Sequence, residues 1–205
     1  MPMHKAIFKY LKRIAQQLML DLADMLTFED NRYLRSVKLR LLSALGVHFS
    51  GDSFIDSGFR CLNAANIYIG KYSSFGHDMS IWAFNKVYIG SYCQSAKDLL
   101  IISGGHDQGT MEPLTDNQEV IISDGVWIGA RVTILGGTHI GYGCIIGAGA
   151  VVKGVIPEFT IIGGIPAKKI KDRPKADMIL SPFGQFKFNE NGNAVNVEER
   201  PNVDV

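Results

Sequence analysis

Cysteine is scarce in this chain. Cys61, Cys93 and Cys144 are odd in number and far apart. They offer neither a disulfide framework nor the close pairs of a zinc knuckle, and they point to reduced thiols in a cytoplasmic setting. A dominant charge is missing as well. With 21 Lys and Arg against 20 Asp and Glu, the formal net charge is +1, so no global field draws the chain to nucleic acid. No apolar run reaches the ~20 residues of a membrane-spanning helix. A secretory leader is not expected either, because Lys9, Lys12 and Arg13 interrupt the first apolar residues.

What the chain has instead is a repeat. Between residues 128 and 152, Ile128, Ile134, Ile140, Ile146 and Val152 recur every sixth residue. Four places after each stands Val132, Thr138, Cys144, Ala150 or Ile156, all small or medium side chains. Helices repeat near 3.6 and strands near 2, so neither gives this period. Six fits a parallel β-helix, in which three short strands make one triangular turn. Gly129, Gly136, Gly137, Gly141, Gly143, Gly147 and Gly149 serve its sharp bends. The length of 205 residues suits one domain with appendages.

Around this stretch the chain divides into three parts. Residues 1–46 predict a helical cap. One helix spans 4–29, with Ile7, Leu11, Ile14, Leu18, Leu22 and Met25 as an apolar stripe. A second spans 31–45, with Leu34, Val37, Leu41 and Leu45 on one side and Arg32, Arg35, Lys38 and Arg40 making it basic. Packing on the end of the β-helix covers exposed strand edges. The competing reading of this basic amphipathic segment is contact with an anionic membrane surface.

Residues 47–173 predict the β-helix itself. Its first turn, from Val47 to Ile67, is irregular, as terminal repeats are. Ile69, Phe75 and Ile81 are then six apart. The count restarts two residues late at Ile89, holds at Cys93 and is lost near Leu99. Residues 103–119 break the repeat with a polar loop, the kind of insertion that carries function on a rigid scaffold. Residues 174–205 form an extension, in which Phe186 to Phe188 and Val195 to Val197 alternate around Asn191-Gly192 as a hairpin. The last residues, 198–205, are expected to be mobile.

The motifs NIYIG (66–70), GH (105–106), GVWIGARVTI (125–134), IGAGAVV (146–152) and GGIPAKKI (163–170) occur in order. On these the chain resembles the hexapeptide-repeat acyltransferases, in the branch of galactoside, maltose and polysaccharide O-acetyltransferases. The resemblance covers about Ile55 to Arg173. It implies a left-handed β-helix that forms a homotrimer, with acetyl-CoA and sugar-acceptor sites in crevices between subunits and no metal.

Acyl transfer to a hydroxyl needs a base, worth typically ~10²–10⁴-fold in rate. The resemblance places that base at His106, directly after Gly104-Gly105, and Asp107 beside it is either an orienting group or a turn residue. Trp127 matches a tryptophan near the thioester end of the cofactor. Ala130 and Ala148 match positions that contact the pantetheine arm. Lys168 and Lys171 match basic residues near the CoA phosphates, and the cation–phosphate pairing makes chemical sense. Lys153 stands where relatives commonly carry threonine, which removes a hydroxyl contact to the cofactor. The acceptor position falls on Asp78, where relatives often have asparagine, with His77 beside it. An aspartate there also suits an amine, so N-acetylation of a nucleotide-linked amino sugar is the alternative. A zinc hydratase on the same solenoid needs three His ligands with a close pair, whereas His77, His106 and His139 are widely spaced. A scaffold without catalysis would not need the GH loop or the GIPAKK stretch.

Overall fold

The structure is a computed structural model that describes residues 3–26, 32–114, 116, 118–175, 186–188 and 194–196. From His48 onward the chain winds into a parallel β-helix with N-terminal helices, the expected fold class. Each turn places one short strand in each of three sheets. The first sheet holds His48–Phe49, Ile67–Ile69, Val87–Ile89, Val120–Ile122, His139–Ile140 and Val155–Ile156. The second holds Phe54–Ile55, Ser74–Phe75, Gln94–Ser95, Trp127–Ile128, Ile145–Ile146 and Thr160–Gly163, and an antiparallel strand, Lys168–Asp172, closes its edge. The third holds Arg60–Leu62, Ser80–Trp82, Leu100–Ile102, Thr133–Leu135 and Val151–Val152.

The six-residue period has a direct structural meaning. Residues six apart occupy equivalent inward positions on successive sheets. Ile122, Ile128 and Ile134 line one turn and Ile140, Ile146 and Val152 the next, all buried. In-register pairing stacks these positions along each sheet: Ile122 on Ile140, Ile128 on Ile146, Ile134 on Val152. Full burial of one such branched side chain contributes about 1.5–3 kcal/mol. The residues four places on, Val132, Thr138, Cys144 and Ala150, are also buried, as the period requires.

One expectation is corrected. The phase is not lost near Leu99. Ser95 occupies the inward slot between Ile89 and Ile101, pairing with Phe75 on one side and Ile128 on the other. A hydroxyl at an apolar position hides the repeat from a hydropathy count, yet Ile101 and Leu99 are fully buried. All three cysteines are free. Cys93 and Cys144 are buried and Cys61 is half-buried. Burial pushes the Cys61 thiol up to about 11 and the Cys93 thiol up to about 12.

Two helices precede the coils, α1 (Met3–Met25) and α2 (Arg32–Ala44). Both pack on the first turns, but α1 does so with an unexpected face. Leu20 and Ala23 are its buried residues. Gln16 Nε2 donates to the Cys61 carbonyl at 3.3 Å, and Asp24 accepts from Arg60 Nη1 at 2.7 Å. The apolar stripe expected to pack lies outside: Leu11, Ile14, Leu18, Leu22 and Met25 are all exposed, Leu18 at 64% and Met25 at 75%. At about 100° per residue, Leu20 lies ~200° around the helix from Leu18. The end of the solenoid presents the Arg60 guanidinium and the Cys61 carbonyl. It therefore selects a face with small apolar residues flanked by Gln and Asp. On α2, Leu42 and Lys38 are buried. Lys38 Nζ donates to the Asp56 carbonyl at 2.9 Å and lies 3.8 Å from Asp24 Oδ1. Burial pulls its pKa down from the ordinary lysine value.

No helix among the described residues is long and apolar enough to cross a membrane. In the extension, Phe186–Phe188 pairs antiparallel with Ala194–Asn196, the expected hairpin. Its turn at Asn191-Gly192 and the residues 198–205 lie outside the described residues, as does the stretch 27–31.

Candidate functional site

The corners between sheets carry the candidate residues. Where the second sheet turns into the third, successive coils place Ser57-Gly58, His77-Asp78, Lys97-Asp98, Ala130-Arg131 and Ala148-Gly149 one above another. The amide of the second residue of each pair donates to the carbonyl of the first in the preceding coil. Asp78 bonds Ser57 at 2.9 Å, Asp98 bonds His77 at 2.8 Å, Arg131 bonds Lys97 at 3.0 Å and Gly149 bonds Ala130 at 2.8 Å. This corner needs left-handed backbone: φ is 63° at Asp78, 60° at Asp98 and 58° at Arg131. Aspartate tolerates that region better than most side chains. The candidates His77, Asp78, Ala130 and Ala148 thus share one column, with Ala130 half-buried and the others exposed.

Trp127 projects from the second sheet, which leads into this corner, and is 50% exposed. Lys168 and Lys171 sit on that sheet's edge strand, both exposed. Along this strip the order is therefore cationic strand, small corner residues, tryptophan, then the acidic His77-Asp78 corner.

His106 and Lys153 belong elsewhere. Both lie where the third sheet returns to the first, Lys153 in a short exposed corner and His106 in the inserted loop. The width of the third sheet separates them from the column of His77 and Ala130. One copy of the chain does not bring the two groups together.

The loop fixes His106 firmly. Gly104 has no room for a side chain, because a Cβ there would lie 2.8 Å from the Phe84 ring. This close approach sets the path of the backbone into the loop. His106 then bridges to Pro113, while Leu114 N–H donates to the Gly105 carbonyl at 2.9 Å. His106 Nδ1 lies 2.8 Å from the Met111 carbonyl oxygen. A carbonyl has no proton to give, so Nδ1 carries the hydrogen and Nε2 of the neutral ring holds a free lone pair. Asp107 does not orient the ring. Its Oδ1 accepts from Gly109 N, Thr110 N and Thr110 Oγ1 at 2.9, 2.8 and 3.1 Å, which makes it the turn residue of the loop. The Thr110 and Gly109 amides hold its carboxyl below the ordinary value.

The sequence reading missed Lys97, Asp98 and Arg131 on the acceptor-side column, where Asp98 Oδ2 lies 3.5 Å from both Lys97 Nζ and Arg131 Nε. A signal existed, since Ser57, His77 and Lys97 are spaced by one twenty-residue coil. Among the described residues no three His, Cys, Asp or Glu side chains converge as metal ligands.

Comparison with known proteins agrees with the architecture. Residues 119–154 match the family described as Bacterial transferase hexapeptide (six repeats). A Saccharomyces cerevisiae protein named for acetyl transfer, YJL218W, is 35% identical over 136 residues, covering 64% of this chain and 69% of that protein. The Escherichia coli protein WbbJ, named for O-acetyl transfer in lipopolysaccharide biosynthesis, is 52% identical over 56 residues. That match covers 27% of this chain, which spans only 29% of WbbJ. Among solved structures, a maltose O-acetyltransferase from Clostridium difficile superposes with a TM-score of 0.66 at 27% identity, over 77% of this chain and 84% of that one. A hexapeptide-repeat solenoid with a His-bearing loop, aligned over most of its length with such a relative, places the chain in the hexapeptide-repeat transferase family.

Proposed function

We propose that the chain is an acetyltransferase that moves the acetyl group of acetyl-CoA onto a hydroxyl of a sugar, in a surface polysaccharide or its precursor. His106 is the general base. The observation that carries this reading is the geometry of His106, whose Nδ1 lies 2.8 Å from the Met111 carbonyl oxygen on an exposed loop, while Nε2 has no partner among the described residues. A neutral imidazole held this way takes a proton without first having to turn.

The acceptor hydroxyl gives its proton to Nε2 as its oxygen attacks the thioester carbonyl carbon. The C–S bond then breaks, and the same proton passes to the departing CoA sulfur. On the cofactor side, Lys168 and Lys171 meet the phosphates, small residues at Ala130 and Ala148 let the pantetheine arm lie against the corner, and Trp127 stands near the thioester. Lys153, on the corner that bears His106, completes the cofactor contacts. Asp78, with His77 beside it, receives the acceptor. Because one chain does not gather His106 with this strip, the complete site lies between copies, in a homotrimer.

A second reading, N-acetylation of an amino sugar, draws on Asp78. Its exposed carboxylate suits an ammonium as well as a sugar hydroxyl.

Thiol release from acetyl-CoA, measured against a panel of sugars and amino sugars, tests both readings. His106→Ala should keep its fold and its affinity for CoA while losing ~10²–10⁴-fold in transfer. Turnover near the parent's would sink the assignment of the base. Release with amino sugars alone would move the reading to N-acetylation.

A further inference from the structure

The corner that carries His77 holds a second constellation, in which His77 also contacts two residues, Ser57 and Asp56, that have no part in the transfer reaction proposed above. Ser57 Oγ lies 2.7 Å from His77 Nδ1, and His77 Nε2 lies 3.1 Å from Asp56 Oδ2. Both ring nitrogens are therefore engaged, in contrast to His106. As a carboxylate, Asp56 only accepts hydrogen bonds, so Nε2 carries the ring proton. Nδ1 is then a bare acceptor aimed at the Ser57 hydroxyl. Proton donation runs one way: Ser57 O–H to Nδ1, and Nε2–H to Asp56.

Asp56 is held from behind. Its other oxygen, Oδ1, accepts the Ser57 amide at 2.7 Å. Its backbone carbonyl accepts from the buried ammonium of Lys38, on α2, at 2.9 Å. The carboxylate is half-buried while the His77 ring is 59% exposed. Next to Ser57, Gly58 has φ of +80°, and a Cβ there would collide with Asp78. The serine is thus fixed on a tight corner, followed by a residue without a side chain.

We propose that Ser57, His77 and Asp56 form a second nucleophilic centre, which hydrolyses small neutral carboxylic esters independently of His106. The geometry has the roles of a nucleophile, a base and a group that orients the base, recognised by placement and not by chain order. Ser57 Oγ attacks the ester carbonyl carbon and passes its proton to His77 Nδ1. The ester C–O bond breaks, and the alcohol leaves with that proton. Water then attacks the acyl-serine with His77 as base, releasing the carboxylic acid and restoring Ser57. Asp56 is a positioning residue that holds the imidazole. The substrate class follows from the surroundings. Within one chain the His77 ring is exposed, and the carboxylates of Asp56 and Asp78 disfavour an anionic ester.

The test uses the full chain in a His106→Ala background, so that the exposed loop imidazole does not report. A fluorophosphonate probe should attach to Ser57, as located by peptide mass mapping. Hydrolysis of 4-nitrophenyl acetate should fall at least ~10²-fold in Ser57→Ala and in His77→Gln. Asp56→Asn should lower the maximal rate of phosphonylation while leaving the half-saturating probe concentration in place, a split that loss of structure does not produce. Thermal melts of each variant establish that it is folded. A folded chain whose Ser57 stays unlabelled overturns the proposal, and so does ester hydrolysis that is unchanged in Ser57→Ala.

Discussion

The solenoid and the helix packed on its end obey different rules about which apolar residues are hidden. In the coils the period alone decides. Ile128, Ile134, Ile140 and Ile146 are buried because each turn closes on itself and on its neighbours, so the chain supplies its own partner. On α1 the strongest apolar stripe, Leu11 to Met25, faces outward, and the buried residues are Leu20 and Ala23. Amphipathicity in a helix says that a face favours cover; it does not say what will cover it. Which face docks is decided by the polar groups that must be satisfied at the contact, here Arg60 and the Cys61 carbonyl.

The contrast can be broken most severely inside the coils. Ile134→Ala removes a fully buried side chain from a wall that cannot collapse, and should destabilise the protein by about 2–5 kcal/mol. Denaturant unfolding reads this directly, and a loss under ~1 kcal/mol would mean that the turn closes without its anchor. A smaller but sharper effect separates the two faces of α1. Leu20→Ala should cost about 2–4 kcal/mol, whereas Leu18→Ala, two residues away, should stay within about ±0.5 kcal/mol. Equal losses would show that the outward stripe is covered in solution.

A further effect is alkaline. The unfolded chain releases its thiol protons near the ordinary value of 9.0, while burial keeps Cys61 and Cys93 protonated up to about 11 and about 12. Above pH 9 the unfolded state binds fewer protons than the folded one, so stability is full below pH 9 and declines as pH rises through this window. Because all three cysteines lie in the coils, the weakness belongs to the solenoid. Cys93→Ala should flatten the decline in melting temperature between pH 9 and 11.

Legibility followed the same divide. The coils were readable wherever an apolar residue held the inward slot, and unreadable at Ser95, where a hydroxyl took it. The loop of residues 103–119 was visible as a break in period, and His106 within it was visible through Gly104-Gly105. The contact to Met111, five residues on, was not, because it depends on how the loop folds back. The outward orientation of Asp78 was readable from the inward slot of Phe75, three residues before it. Its neighbours Ser57, Lys97 and Arg131 were missed because a corner column joins residues eighteen to thirty-three apart, a spacing that hydropathy does not mark. Helix existence was clear from the 3.6 period, but the docking face was set by partners distant in sequence.

The burial of the thiols also bears on reactivity. A disulfide reagent that detects free CoA reacts with thiolates, and near neutral pH these cysteines are protonated and largely out of reach. Cys93 and Cys144 lie inside the coils and Cys61 beneath Gln16 of α1. The folded protein should therefore be silent to such a reagent, so that colour released in a transfer assay counts CoA alone. A slow rise in colour without any acceptor would report the coils coming open.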